Sequence, residues 1–156
     1  MSLSNIQLLI LRIALAALFL SEGFGKIDEG WLTNDQHLLQ SLNNFHQHAT
    51  GAQLVYLEKI AMPYASLWSK LMAMGETCVG VSLLLGLLTR LSSIIGIFMV
   101  LNFHASTGNL YSLSFFGTAW AGLIVASFLV IFLARGGRWF GIDAMLAKET
   151  PGGKFW

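Results

Sequence analysis

Four ionisable side chains interrupt otherwise apolar runs of this sequence and are the first candidates for chemistry. They are Arg12, Glu22, Lys70 and Glu76. A charge in an apolar helix is costly unless a partner or a function retains it. Counted from the ends of their runs, Arg12 and Glu76 lie at similar depth, so we predict that they form a buried ion pair. Such a pair either aligns two helices or holds a polar ligand and relays a proton.

A second polar group lies toward the opposite end of the same runs. Glu22 and Lys26 are spaced i, i+4, in the order that favours an ion pair on one helix face. Lys26 either reaches the lipid headgroups or lines a pocket for an anion or a quinone carbonyl. Lys70, Asn102 and His104 fall at similar depth, and a histidine beside an amide and a lysine suits quinone binding or proton transfer. We therefore predict a ligand pocket from these five residues, with a hydrogen-bonded histidine at a helix end as the alternative for His104.

The sequence contains no pattern typical of a metal or haem site. Its single cysteine, Cys78, excludes an intrachain disulfide and a CxxC pair. His46 and His48 are spaced i, i+2, which does not place two ligands on one helix face. We expect no metal site and no cofactor bound through a recognisable motif, and a quinone is the candidate substrate.

The composition indicates an integral membrane protein. Of 156 residues, 55% are hydrophobic and 11% are charged, whereas roughly 25% are charged in an ordinary soluble domain. This charge is too small to cover a soluble domain of this size. The net charge of +1 provides no field that would attract nucleic acid. We therefore predict the lipid bilayer as a partner and exclude nucleic acid, a disordered chain and a disulfide scaffold.

Four apolar runs approach the length of about 20 residues that a membrane helix needs. They cover approximately residues 3–25, 64–88, 91–106 and 113–134. In the polar stretch 27–63, apolar residues recur at helical spacing on both sides of Thr50-Gly51. We predict an all-α fold with one membrane domain over residues 1–156. It is a four-helix bundle, with short amphipathic interfacial helices between the first two spans that cover the mouth of the bundle.

The distribution of basic residues predicts the orientation of these spans. One set of span ends carries Arg90, Arg135, Arg138, Lys148 and Lys154, and the opposite set carries Lys26 and Lys59. Because lysine and arginine are enriched on the cytoplasmic side, we predict that both termini and the tail 135–156 are cytoplasmic. The segment 27–63 is then extracytoplasmic, in a bacterial or archaeal cytoplasmic membrane. Trp31, Trp68 and Trp120 are expected at the outer interface.

Several of these residues resemble the DoxX/DoxD-like family of membrane proteins. Leu11-Arg12, Glu22-Gly23 and Lys26 are similar to the start of that family, although many members have a His-Gly pair where this chain has Glu22-Gly23. The family's hairpin signature resembles Gly75-Glu76, Gly80 and Gly86-Leu87-Leu88-Thr89-Arg90, and its third helix resembles Leu101-Asn102-Phe103. The resemblance covers roughly residues 8–135.

The resemblance implies a four-helix membrane protein related to the subunits of a thiosulfate:quinone oxidoreductase. The first hypothesis is a subunit that helps to pass electrons from a small sulfur compound to membrane quinone, together with a partner membrane subunit or a second copy of the chain. The second is a non-catalytic accessory subunit of a membrane electron-transfer or photosynthetic complex, which the missing cofactor motif favours. A small proton carrier or channel is a third.

Overall fold

The computed structural model describes residues 3–112, 115, 119–150 and 153. Within them, seven α-helices and no strand are found, so the predicted all-α class is confirmed. The helices are α1 (Leu3–Asp28), α2 (Gln36–His46), α3 (Gly51–Tyr56), α4 (Ala65–Leu85), α5 (Thr89–Ser106), α6 (Ala119–Ala134) and α7 (Ile142–Glu149). A π-helical turn, Leu57–Ala61, continues α3, and short 3-10 turns lie at Asn109–Tyr111 and Gly136–Arg138.

The four long helices α1, α4, α5 and α6 coincide with the apolar runs of the sequence. Residues 113–114 and 116–118, where the fourth span is predicted to begin, lie outside the described part of the chain. Among the described residues, one segment, Asn5–Asp28, is long and apolar enough to cross a membrane by length and composition, and Trp120–Ala134 is a shorter apolar helix. The arrangement of four membrane spans stays a prediction.

Two glycines determine how α1 lies against α4, the helix with which it makes its most extensive contact. A Cβ atom added to Gly23 would overlap Thr77, and one added to Gly80 would lie 2.7 Å from Leu20 Cγ. The two helices are therefore antiparallel, with Leu20 facing Gly80 and Gly23 facing Thr77. Only glycine permits backbones to approach this closely, so these two contacts set the register of the pair.

Helices α5 and α6 form a second pair that packs on the first. The ring of Phe128 lies directly over Gly96. The same ring meets Phe19 of α1 edge-on, with ring centroids 5.1 Å apart. The four long helices thus share one apolar core, in which the buried residues are Leu15, Ala16, Phe19, Val79, Leu83, Phe128 and Ile131.

Helices α2 and α3 and the π-helical turn form a smaller layer at one end of the bundle. They are the helices predicted within residues 27–63, and they separate at the predicted break, where Thr50 is extended and Gly51 has a φ of +56°. Gln53 Nε2 donates a hydrogen bond to Ser106 O at 2.9 Å, which anchors α3 to the end of α5. The residues buried between this layer and the start of α4 are Leu38, Leu42, Leu57, Ala61 and Ala65.

The turn between α4 and α5 lies at the opposite end of the bundle. The predicted runs end at residue 88 and begin again at residue 91, whereas α4 ends at Leu85 and α5 begins at Thr89. Gly86 follows α4 with a left-handed φ of +64°. A left-handed residue after the last turn is the usual end of a helix, and glycine adopts it without strain, so the helix ends here.

The tail of the chain returns to this turn. Asp143 of α7 is fully buried. Its carboxylate accepts hydrogen bonds from the N–H groups of Leu88 at 2.6 Å and Thr89 at 3.0 Å, and from Thr89 Oγ1 at 2.7 Å. Asp143 therefore caps the N-terminus of α5, where a carboxylate is favoured. The tail therefore contains a helix, α7, that is docked on the bundle.

Candidate functional site

Arg12 does not form the predicted ion pair with Glu76. Its guanidinium donates hydrogen bonds to the carbonyl oxygens of Gly136 at 3.0 Å, Trp139 at 3.2 Å and Phe140 at 2.7 Å. The Arg12 side chain is only 1% exposed. Arg12 therefore holds the beginning of the tail against α1.

The register of α1 on α4 explains why the predicted pair is wrong. Arg12 lies against Gly86. Gly86 is ten residues beyond Glu76, which corresponds to about 15 Å along an α-helix. The prediction assumes that residues at equal distances from the ends of their apolar runs face each other. The glycine contacts instead shift α1 along α4, so Arg12 and Glu76 do not meet.

Glu76 instead pairs with Lys26. Glu76 Oε2 lies 2.6 Å from Lys26 Nζ, and Lys26 Nζ lies 3.2 Å from Glu22 Oε2. The side chains of Lys26 and Glu76 are 15% and 16% exposed, whereas that of Glu22 is 61% exposed. Lys26 thus bridges two carboxylates in a row that begins at the surface. We call these three residues the ion-pair row; its formal charge is −1.

The ion-pair row lines a cavity of about 550 Å³. Residues of α1, α2, α4, α5 and α6 contribute to its wall. Most of this wall is apolar or aromatic, including Phe19, Trp31, Leu42, Phe45, Phe103 and Trp120. Leu38, Leu42 and Phe45 are contributed by α2, so this outer helix lies over the cavity. A largely apolar wall with few polar groups is typical of a site for a small organic ligand.

His104 contributes a further polar group to the cavity wall. Its ring lies between two aromatic rings, edge-on to Phe103 and Phe115, with centroids 5.3 Å and 5.4 Å away. His104 Nδ1 is buried and has no hydrogen-bond partner within the described residues. Leaving such a nitrogen without a partner costs free energy, which a ligand with a hydrogen-bonding oxygen would recover.

Two of the residues predicted for the pocket lie outside this cavity. Lys70 is exposed on α4. Asn102 Oδ1 accepts a hydrogen bond from the Tyr56 hydroxyl and so connects α5 to α3. Burial raises the pKa of the Tyr56 hydroxyl, so this group stays protonated and continues to donate. Glu22, Lys26 and His104 are therefore the predicted pocket residues that the structure brings together, and Glu76 joins them.

Sequence reasoning missed several residues of the cavity wall and of the docked tail. Trp31 and Trp120 also line the cavity, which the sequence did not predict. Asp143 lies in a short polar helix and gives no sign in the sequence that it is buried. Among the described residues, no three metal-ligating side chains lie together, and the polar groups of the wall suit hydrogen bonds to an organic ligand.

Comparison with known families gives one match that spans most of the chain. A family model described as TQO small subunit DoxD matches residues 7–152. The matched part includes every residue named as lining the cavity, as well as α7. Comparisons with curated proteins and with solved structures give no match.

Proposed function

Because the chain belongs to the DoxD family, described as the TQO small subunit, we propose that it is a membrane subunit of a thiosulfate:quinone oxidoreductase and that its cavity binds the quinone. The observation that carries this proposal is the cavity of about 550 Å³ with an apolar wall, a bridged lysine and a histidine nitrogen that has no partner among the described residues. Cavities of about 300–1,000 Å³ are typical of small-molecule sites. The larger, apolar part of the cavity suits the ring and the first isoprenoid units of a quinone.

The charges of the cavity favour a neutral ligand over a sulfur anion. The positive charge of Lys26 is already neutralised by Glu76 at 2.6 Å, and Glu22 adds a further negative charge at 3.2 Å. Thiosulfate carries two negative charges and would be repelled by this row, whereas a neutral quinone would not. We therefore assign thiosulfate to a partner membrane subunit and quinone to this chain.

The polar groups of the wall indicate how a quinone would be oriented. His104 Nδ1, which has no hydrogen-bond partner in the described part of the chain, would donate to one quinone carbonyl oxygen when its proton is on that nitrogen. The ammonium group of Lys26 lies on the same cavity wall and provides a positive charge near a carbonyl oxygen that gains electron density. The aromatic side chains of Trp31 and Trp120 contact the ring or the chain of the quinone.

The proposal includes four membrane-spanning helices, with both termini on the cytoplasmic side. The 26 residues of α1 and the 21 residues of α4 correspond to about 39 Å and 32 Å of helix, compared with a hydrocarbon core of about 30 Å. Helices α2 and α3 then lie at the outer surface. The ion-pair row lies near the outer end of α1, which gives Glu22 access to water.

We expect the purified full-length chain to bind decylubiquinone saturably, with quenching of tryptophan fluorescence, because Trp31 and Trp120 line the cavity. His104→Phe removes one hydrogen-bond donor while preserving an aromatic ring, and should raise the Kd up to about tenfold. His48→Phe is the matched control, because His48 is exposed and does not line the cavity.

Thiosulfate should not compete with decylubiquinone in this titration. Absence of saturable quenching in the wild-type chain would contradict the quinone site and would favour the accessory role. Equal Kd values for the wild-type chain and His104→Phe would exclude His104 as a ligand.

A further inference from the structure

The ion-pair row connects the surface of the protein to the cavity. Glu22 is 61% exposed, and the next two members are almost enclosed, at 15% for Lys26 and 16% for Glu76. A carboxylate near the end of a membrane helix is stable when it contacts water rather than lipid tails. Lys26 Nζ donates a hydrogen bond to Glu22 Oε2 at 3.2 Å and forms an ion-pair contact with Glu76 Oε2 at 2.6 Å, so both oxygens lie within reach of direct proton transfer.

We propose that Glu22, Lys26 and Glu76 form a proton relay from the outer aqueous surface to the cavity, in which Glu76 is the proton donor to the reduced quinone. This inference rests on the proposed function, because it requires a quinone in the cavity. It adds proton delivery to quinone binding, because a binding site alone requires no connection to water. Reduction of a quinone to a quinol consumes two protons, and titratable side chains on the cavity wall, one of them exposed, can deliver them.

Each proton can move along the row without transferring net charge into the cavity. Glu22 first takes a proton from water. The Lys26 ammonium then gives a proton to the Glu76 carboxylate while the Lys26 amine takes the proton of Glu22. The row keeps one ammonium and one carboxylate, so no separated charge enters the low-dielectric wall.

The transfer to quinone balances in atoms and electrons. Two electrons come from two thiosulfate ions, which are oxidised as they join through a new sulfur–sulfur bond. The quinone gains these electrons, the O–H bond of Glu76 breaks, and an O–H bond forms at a quinone oxygen. Glu76 is reprotonated through the row, and a second transfer completes the quinol.

His104 is less suited to supply these protons repeatedly. Its Nδ1 has no polar partner among the described residues, and its ring is packed against Phe103 and Phe115. A proton taken from this nitrogen would have no connected group to replace it. His104 therefore orients the quinone, and the ion-pair row delivers the protons.

The relay is tested on the full-length chain loaded with decylubiquinone, with an electrode and a soluble mediator supplying both electrons. This design requires neither thiosulfate nor the partner subunit. After a potential step, Glu76→Gln should slow quinol formation by about 10²-fold, the lower end of the range for loss of a general acid. Glu22→Gln should also slow it, and a small weak acid such as acetate should restore part of the rate in both variants.

Two controls separate proton delivery from structure and binding. Glu149→Gln makes the same chemical change at an exposed position of α7, outside the cavity wall, and should leave the rate unchanged. The Kd for decylubiquinone is measured in every variant. If Glu76→Gln does not fold, the exposed Glu22→Gln variant carries the test.

The outcomes distinguish the relay from the quinone site. Unchanged rates in both glutamine variants, with quinone still bound, would overturn the relay and leave the proposed function standing. Slower rates that acetate does not restore would also overturn it. Failure of the wild-type chain to bind decylubiquinone would overturn both proposals.

Discussion

The guanidinium of Arg12 binds three backbone carbonyl oxygens of the tail, at Gly136, Trp139 and Phe140. An arginine presents five N–H donors in one plane, so a single side chain can satisfy several carbonyl groups of an irregular segment. At this position the charge is retained for the hydrogen bonds that it makes with the backbone. Arg12 lies beside Gly86, at the end of α4 that is opposite to the cavity.

We predict that Arg12→Ala lowers the free energy of unfolding by about 3 kcal/mol or more, because hydrogen bonds from a charged group contribute about 1.5–3 kcal/mol each. Unfolding of the full-length chain by SDS in mild detergent measures this change. Lys148→Ala removes a positive charge from an exposed position of the same tail and should have little effect.

Decylubiquinone should bind to folded Arg12→Ala with unchanged affinity. A stability equal to that of the wild-type chain would show that the three hydrogen bonds contribute nothing net. A loss of quinone affinity in folded protein would assign Arg12 to the ligand site.

Part of the candidate site can be predicted from single residues, and part cannot. Glu22, Lys26 and His104 stand out because they are polar side chains in apolar runs. The partner of Glu76 does not follow from the sequence, because it depends on how two helices are offset by close contacts. Asp143 does not stand out either, because an acidic residue in a short polar helix is usually exposed.

The offset of α1 along α4 depends on Gly23 and Gly80, and it is what brings Lys26 to Glu76. An apolar run predicts that a helix exists, since its length and composition suffice for that purpose. It does not predict which residues of two helices face each other. The bounds of α1, α4 and α5 were therefore predictable to within a few residues, whereas the register of the helices was not.

We predict that Gly23→Ala destabilises the protein by about 1–3 kcal/mol, the usual cost of overpacking. An added Cβ would lie 2.6 Å from the backbone nitrogen of Thr77, which cannot move aside as a flexible side chain could. The same change should separate α1 from α4 and lengthen the contact between Lys26 and Glu76, so decylubiquinone affinity should fall as well.

Gly25→Ala is the matched control on the same helix. A Cβ at Gly25 meets no atom within 4 Å. Replacing this glycine should leave stability unchanged or increase it by up to about 1 kcal/mol. Equal destabilisation by the two substitutions, measured by SDS unfolding, would show that the close approach of α1 to α4 at Gly23 is not responsible.

The two ends of the molecule differ in their residues and in the proposed function of those residues. One end holds the turn between α4 and α5 together with the docked tail and its basic residues. The other end holds α2, α3 and the ion-pair row. If the long helices cross a membrane, the basic end is expected on the cytoplasmic side, and the relay then takes its protons from the outer side.

This orientation predicts which positions a membrane-impermeant maleimide labels in intact cells. In a Cys78→Ser background, Gln47→Cys at the end of α2 should be labelled, because Gln47 is exposed at the outer end. Lys148→Cys on α7 should be labelled only after the cells are lysed. The reverse pattern would place the ion-pair row on the cytoplasmic side and would contradict the predicted topology.

The contacts made by Arg12 also bear on how the protein matures during biosynthesis. The carbonyl groups that accept its hydrogen bonds are 124 to 128 positions later in the chain. Arg12 therefore leaves the ribosome long before its acceptors exist, and the N–H groups at the start of α5 likewise wait for Asp143. The buried polar groups of α1 and α5 therefore find their partners in the last part of the chain. Assembly cannot finish until residue 143 has been synthesised. A nascent chain interrupted before residue 136 would keep an arginine without these acceptors, a defect that cellular quality control can detect.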